Sequence, residues 1–269
     1  MFFRKLIAFI KKDFLIFRSY RLFLILSCLG AITLVITFYF ITKLFGQGIN
    51  PYLKDYGGEY FPFVLIGLAF YTYFSTALRA FSARVRQEQM MGTLQAIVLT
   101  PTKIPTIVFA MPCWDFLFSS LNALICLLLG VCFLGVSFVN VDFLVVLLVL
   151  GLIVIITSSI GMISAAFIVI FKKGDPIVWL TTLFFSFFGG VYFPITILPK
   201  KLYLISNFLP VTYALRALRH ALLGEYSFKM LLPDILILLV FCAVLFPSGI
   251  LIFKYAIRRA KLTGTLAYY

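Results

Sequence analysis

Residues 143–171 read FLVVLLVLGLIVIITSSIGMISAAFIVIF, 29 positions without an Asp, Glu, Lys or Arg. A helix needs about 20 mostly apolar residues to cross the hydrocarbon core of a bilayer, so this run alone is long enough. Five further charge-free runs flank it at 22–42, 60–78, 116–141, 176–199 and 235–253. The third reaches back past Asp115 to about Thr106, because 104–114 also lacks charge. Across the 269 residues 63% are apolar and 12% charged, with a mean hydropathy of +1.12. Soluble domains sit nearer half apolar and a quarter charged. The 32 Phe and 14 Tyr exclude disorder. The runs are also far longer than the alternating segments of an outer-membrane barrel. The fold expected is an all-α polytopic membrane protein, one transmembrane domain over 1–269 with six transmembrane helices at 22–45, 60–79, 106–135, 142–171, 176–194 and 234–256.

Charge sets the orientation. With the N terminus inside, 16 of the 23 basic residues fall in inner segments, among them Arg4, Lys5, Lys11, Lys12, Arg79, Arg84, Arg86, Lys172, Lys173, Arg258 and Arg259. Cytoplasmic loops carry such an excess of Lys and Arg, so the expectation is N-in and C-in. The net charge of +14 is then accounted for by topology and by anionic inner-leaflet lipid. No nucleic-acid partner is expected, since the basic residues flank spans and form no single stripe. The first apolar run lacks a small-residue cleavage site and reads as a retained anchor.

Residues 1–21 set Phe3, Ile7, Ile10, Phe14 and Phe17 at helical spacing against Lys5, Lys11, Lys12 and Arg18, as in a helix lying in the membrane interface. The alternative is a cytosolic extension of the first span. The inner segment 84–105 is too polar at its start to span and ends at Thr100-Pro101 and Pro105, so a short separate helix is expected there. It either lies on the membrane or offers Met90, Met91, Leu94 and Ile97 to a partner's groove. Small residues recur every fourth position at Thr157, Gly161 and Ala165, and again at Thr182, Ser186 and Gly190. That spacing lets helices pack closely in lipid, or it lines a polar path. Gly189-Gly190-Val191-Tyr192-Phe193-Pro194 closes the fifth run, and Pro199 and Pro210 divide the next stretch. The two short pieces predict an outer re-entrant helical hairpin over 195–227, bounded by Pro194, Pro199 and Pro210, with Arg216, Arg219 and His220 on its polar face. Non-spanning backbone at membrane depth is tolerated where protein buries it.

The chemistry that is missing narrows the function. No Gly-Lys dipeptide occurs, so a GxxxxGK[ST] phosphate loop cannot form. His220 is the only histidine, and the five cysteines lie in apolar runs without a CxxC pair, which reads as packing, not as a metal site or a disulfide. No enzyme activity is expected in this chain. Asp115 is the one acid that falls inside a span and not at its edge, where it either pairs with Arg79 or Arg84 or relays protons.

Three stretches carry a resemblance. Arg86-Gln87-Glu88-Gln89-Met90-Met91-Gly92-Thr93-Leu94-Gln95 with Leu99-Thr100-Pro101, then Phe171-Lys172-Lys173-Gly174-Asp175-Pro176, then Gly189 to Pro194 with Leu198-Pro199, Leu209-Pro210 and Ala214-Leu215-Arg216, resemble the permease subunits of type-2 ABC transporters, which export drugs, lipids and polysaccharides. The resemblance implies that 84–105 is the coupling segment docking on a separate soluble ATPase, with Arg86, Glu88, Met91, Gly92, Thr93, Leu94 and Gln95 at the contact. It implies a homodimer with two ATPase subunits in a prokaryotic plasma (inner) membrane. It places no cofactor in this chain, ATP and Mg belonging to the partner. Tyr71, Ser75, Thr182, Ser186 and Tyr192 are the candidates for the path of an amphipathic substrate. Gln95 departs from the Glu usual at its position. The Arg-Tyr-Lys signature of polysaccharide exporters is missing before the first span, which tilts the substrate towards drugs or lipids. The rival reading is a proton-coupled secondary transporter or channel using Asp115.

Overall fold

The computed structural model describes residues 7, 10–15, 21–56, 58–93, 96, 113–136, 138, 141–171, 176–223 and 228–262. Among them the chain is helical and contains no strand. Eight helices run in order: α1 (Arg21–Ile49), α2 (Tyr60–Met90), α3 (Cys113–Leu134), α4 (Phe143–Phe171), α5 (Pro176–Phe188), α6 (Lys200–Asn207), α7 (Pro210–Leu223) and α8 (Phe228–Leu262). Short 3-10 turns occupy Asn50–Tyr56 and Ile195–Ile197, and residues 10–15 are helical as well.

Five helices are long and apolar enough to cross a membrane: α1, α2, α3, α4 and α8. This is a multi-pass membrane protein. The sequence expectation of a fifth span over 176–194 meets a shorter helix, because α5 has 13 residues. At 1.5 Å per residue that is about 20 Å, against about 30 Å of hydrocarbon. The helix stops at Gly189-Gly190, where Gly190 takes φ +76°, a conformation that costs glycine little and other residues more.

The bundle is built around α2, where 72% of the apolar stretch is buried, against 6% for α1. α3 and α4 meet α2 where a glycine removes a side chain. A Cβ on Gly130 of α3 would stand 2.1 Å from Leu65 Cδ2, and one on Gly161 of α4 would stand 2.7 Å from the Leu78 carbonyl oxygen. Gly249 brings α8 equally close to α4, at Ser159. In lipid, helix association draws on such van der Waals contact, since moving apolar side chains from tails to protein gains little. The stripe Thr157, Gly161 and Ala165 is fully buried in this packing.

The two ends of the bundle differ. At one end Phe81, Val85, Met162, Phe253 and Ile257 close the bottom of α2, α4 and α8. At the other, α7 lies between α2, α4 and α8 with ten of its 14 residues buried. The Asp142 amide, just before α4, donates to the Ala221 carbonyl near the end of α7 at 3.1 Å. Pro210 opens α7 and Lys200 opens α6 directly after Pro199, each proline standing where its missing N–H costs nothing.

Gly67 is as tight as Gly130 but meets backbone, since a Cβ there would lie 2.1 Å from the Val191 carbonyl oxygen and 2.8 Å from Arg219 Nη2. Backbone cannot yield as a side chain end can, so Gly67→Ala should destabilise by at least the roughly 1–3 kcal/mol of an overpacked core. Gly151 has open space around it, and Gly151→Ala should leave thermal unfolding of the solubilised protein near wild type. Equal midpoints for the two variants would contradict this packing.

Candidate functional site

Arg84 and Glu88 lie one turn apart on α2 and share a face. Arg84 grips Asp115 with two parallel bonds, Nε to Oδ2 at 2.9 Å and Nη2 to Oδ1 at 3.0 Å, and its Nη1 donates to Asp13 Oδ1 at 3.1 Å. A planar guanidinium is suited to such a bidentate grip in a way an ammonium is not. Asp115 stands in the first turn of α3, where the free N–H groups of a helix favour a carboxylate. One turn further along α2, Glu88 accepts from Lys12 Nζ at 2.6 Å and from the Thr93 hydroxyl. Consecutive residues Lys12 and Asp13 therefore meet two points on α2. This joins the 10–15 segment, α2 and α3 into one ionic junction.

The junction is buried on one side and open on the other, with the Lys12 side chain 48% exposed and that of Asp115 25%. Asp13 is 5% exposed and Glu88 7%, and the Arg84 side chain 19%. It holds three carboxylates, Asp13, Glu88 and Asp115, against two cations, Lys12 and Arg84. Burial pushes the Asp13 carboxyl up from its ordinary value, outweighing the lowering by Arg84 and Lys12.

The polar start of the 84–105 segment departs from the sequence expectation. Arg84 to Met90 form no separate helix and are the last turns of α2. Nothing between Tyr60 and Met90 breaks the helix, and Arg, Gln and Glu continue it well. The break comes at Gly92, with φ +69°. Its N–H donates to the Gln89 carbonyl and that of Thr93 to the Glu88 carbonyl, the paired bonds of a Schellman cap. Glu88 thus supports the turn with both its carbonyl and its carboxylate. Met90 and Met91 at the turn are 63% exposed, and Arg86 lines a pocket beside them with Trp179. Leu94 and Gln95, with 97–112, lie outside the described residues.

Two cavities flank Arg84 and Asp115. One, of about 700 Å³, lies among α1, α2, α3 and the 10–15 segment. The other is a groove of about 530 Å³ along α2 that holds Tyr71, Ser75, Arg79 and Gln87. Both are lined by Thr76, Arg84 and Asp115, so the ion pair stands between them. Of the expected path residues, Tyr71 and Ser75 lie in the groove, and the Tyr192 ring is 6.2 Å from that of Tyr71. Thr182 and Ser186 are on α5 and do not line the groove. Ser186 donates to the Leu183 carbonyl of its own helix.

At the opposite end the irregular stretch after α5 is held from α7. Arg219 is 3% exposed and donates to the carbonyls of Phe63 at 3.2 Å, Gly190 at 2.8 Å and Val191 at 3.2 Å, with its guanidinium 3.4 Å from the Phe63 ring centre. Tyr60 donates its hydroxyl to the Tyr192 carbonyl at 2.8 Å. Three successive carbonyls outside any helix are so paired, as buried backbone requires. Arg219 lies on the face of α7 that also carries Arg216, and there it is buried. A wheel drawn on α7 alone does not show that α2 and the 189–193 turn close over that face. Arg216 pairs bidentately with Asp234 of α8. Pro194 is buried at the head of the Ile195–Ile197 turn.

Sequence reasoning missed Asp13, Lys12, Asp234 and Gly67. Asp13 offered one signal, as the only acid among the first 54 residues. Removing one partner of a buried ion pair costs about 3–5 kcal/mol, towards the lower end here because Asp115 keeps a quarter of its side chain exposed. Arg84→Gln should therefore lower the unfolding midpoint markedly, and adding Asp115→Asn should recover part of the loss. Strictly additive effects would show that the pair is not formed.

Residues 100–223, from before α3 to the end of α7, match the family model described as ABC-2 type transporter. No curated protein matches the chain. Domains of this family are membrane transport components and normally work with an ATPase partner. The match falls on the same permease family that the motifs resemble, and over 100–223 it supports that family for this chain.

Proposed function

We propose that this chain is the permease subunit of an ATP-driven exporter that moves an amphipathic substrate, a drug, lipid or lipid-linked glycan, across a prokaryotic plasma membrane as a homodimer with two soluble ATPase subunits. The observation that carries the reading is the continuity of α2. One unbroken helix of 31 residues links the groove at Tyr71 and Ser75 to the capped turn at Gly92. A push delivered at the turn travels as rigid-body motion of α2 and passes through the ionic junction to α3 and the N-terminal segment. ATP and Mg are bound and hydrolysed on the partner, for which this chain has no phosphate loop.

In this reading the membrane is crossed six times, α5 completing its crossing with the 189–199 stretch, and both termini are cytoplasmic. Support comes from the ends of the bundle. The first turns of α2 and the starts of α4 and α8 gather at the end where α7 sits, while Arg84, Glu88, Asp13 and the last turns of α8 gather at the other. Gly67, against which the 189–191 turn rests, lies about 10 Å into α2 at 1.5 Å per residue. The turn therefore enters the bundle from the outer end as a re-entrant element, with α6 and α7 as its helices. The proton-transport reading finds less support, since both Asp115 oxygens are held by Arg84.

Gentle purification of the tagged chain from its native membrane should bring down a soluble protein with a phosphate loop in equal amount. A chain that elutes alone with its transport activity intact would overturn the proposal. Met91→Glu, a change at an exposed residue of the turn, should reduce transport-coupled ATP hydrolysis at least tenfold without altering the permease's own unfolding. Unchanged coupling would place the ATPase contact elsewhere.

A further inference from the structure

The cavity among α1, α2, α3 and the 10–15 segment has a volume in the range of small-molecule sites. Its composition is that of an amphiphile site. Ala31, Leu34 and Phe118 wall it, and Gly30 leaves it open, with nothing within 4 Å of where a Cβ would stand. Its floor carries Asp13, Arg84 and Asp115, two carboxylates against one guanidinium. Higher up, the Asn122 side-chain oxygen is buried and accepts no hydrogen bond among the described residues. Carboxylates and an amide oxygen are all acceptors, and among the described lining residues two carboxylates stand against one cation. An anionic head group would face two carboxylates at close range. A protonated amine supplies both the charge and the N–H donors.

We propose that this cavity binds a single-chain amphiphile with a protonated amine head, the ammonium between Asp13 and Asp115 and the tail along Ala31, Leu34 and Phe118. An ammonium that takes Asp115 competes with Arg84 for it, and Arg84 is the wall between this cavity and the groove of Tyr71 and Ser75. The site belongs to this chain alone and does not rest on the transport reading, so binding can fail while ATPase coupling stands, and the reverse.

The chain has two tryptophans, Trp114 in this cavity and Trp179 outside it. Trp179→Phe leaves Trp114 as the sole reporter. In phosphatidylcholine nanodiscs, 11-bromoundecylamine should quench Trp114 saturably, and 11-bromoundecanoic acid and 11-bromoundecanol at least tenfold more weakly. Asp115→Asn should weaken the amine at least tenfold. Gly30→Leu, which fills open space and leaves the ionic floor intact, should abolish saturable quenching, and this variant keeps the test decisive if Asp115→Asn fails to fold. Equal quenching by the three head groups, or no effect of Gly30→Leu, would overturn the proposal.

Discussion

The Arg84 guanidinium, shared between Asp13 and Asp115, is the interaction on which one end of the helix bundle depends. Three chain segments far apart in sequence meet at one planar group. Without it, the buried Asp13 carboxylate would lose its hydrogen-bonded cation, so the segments are held together by the cost of separating them as well as by the strength of attraction. That cost is directional. It fixes the last turns of α2 against the first turn of α3, and so fixes the turn at Gly92 that Glu88 supports. An interaction of this kind suits a part that must move as a unit.

The opposite end of the bundle obeys a different constraint. A backbone that leaves helical form inside a bundle must find partners for its carbonyls, because no water is at hand. Arg219 meets that demand for Phe63, Gly190 and Val191, and Tyr60 meets it for Tyr192. Gly67 supplies the space. The break after α5 is therefore built into the structure, and α7 is held in place as much by its arginine as by its apolar faces. Both ends are anchored on α2, so displacement of one is felt at the other through a single rigid helix.

Much of this was legible in the sequence, and the reasons are physical. Charge-free runs mark spans because charge is costly in hydrocarbon, and Gly189-Gly190, Pro199 and Pro210 mark breaks because those residues act on the backbone locally. The end of α2 was harder. Arg84 to Met90 looked like a separate polar helix because the run of apolar residues ends before them, yet helix propensity carries on until Gly92. Long-range pairing left almost no trace. Asp13 reaches Arg84 across 71 positions, and Arg219 reaches Phe63 across 156. Periodicity sorts residues on a lone helix into apolar and polar faces, and it assigned Arg219 to the polar one. Only the arrangement of α2 and the 189–193 turn around α7 shows that face to be interior.

We place the ATPase contact at the capped turn that ends α2. Cross-linking in the membrane of the producing cell tests this at the contact itself, from a single cysteine placed at Met91 after the five natural cysteines are replaced. An adduct with one soluble nucleotide-binding subunit is expected. None is expected when the cysteine is moved to Tyr52, which is 56% exposed in the turn before α2. The same adduct from both positions, or none from Met91 in an assembly that still hydrolyses ATP, would contradict the placement.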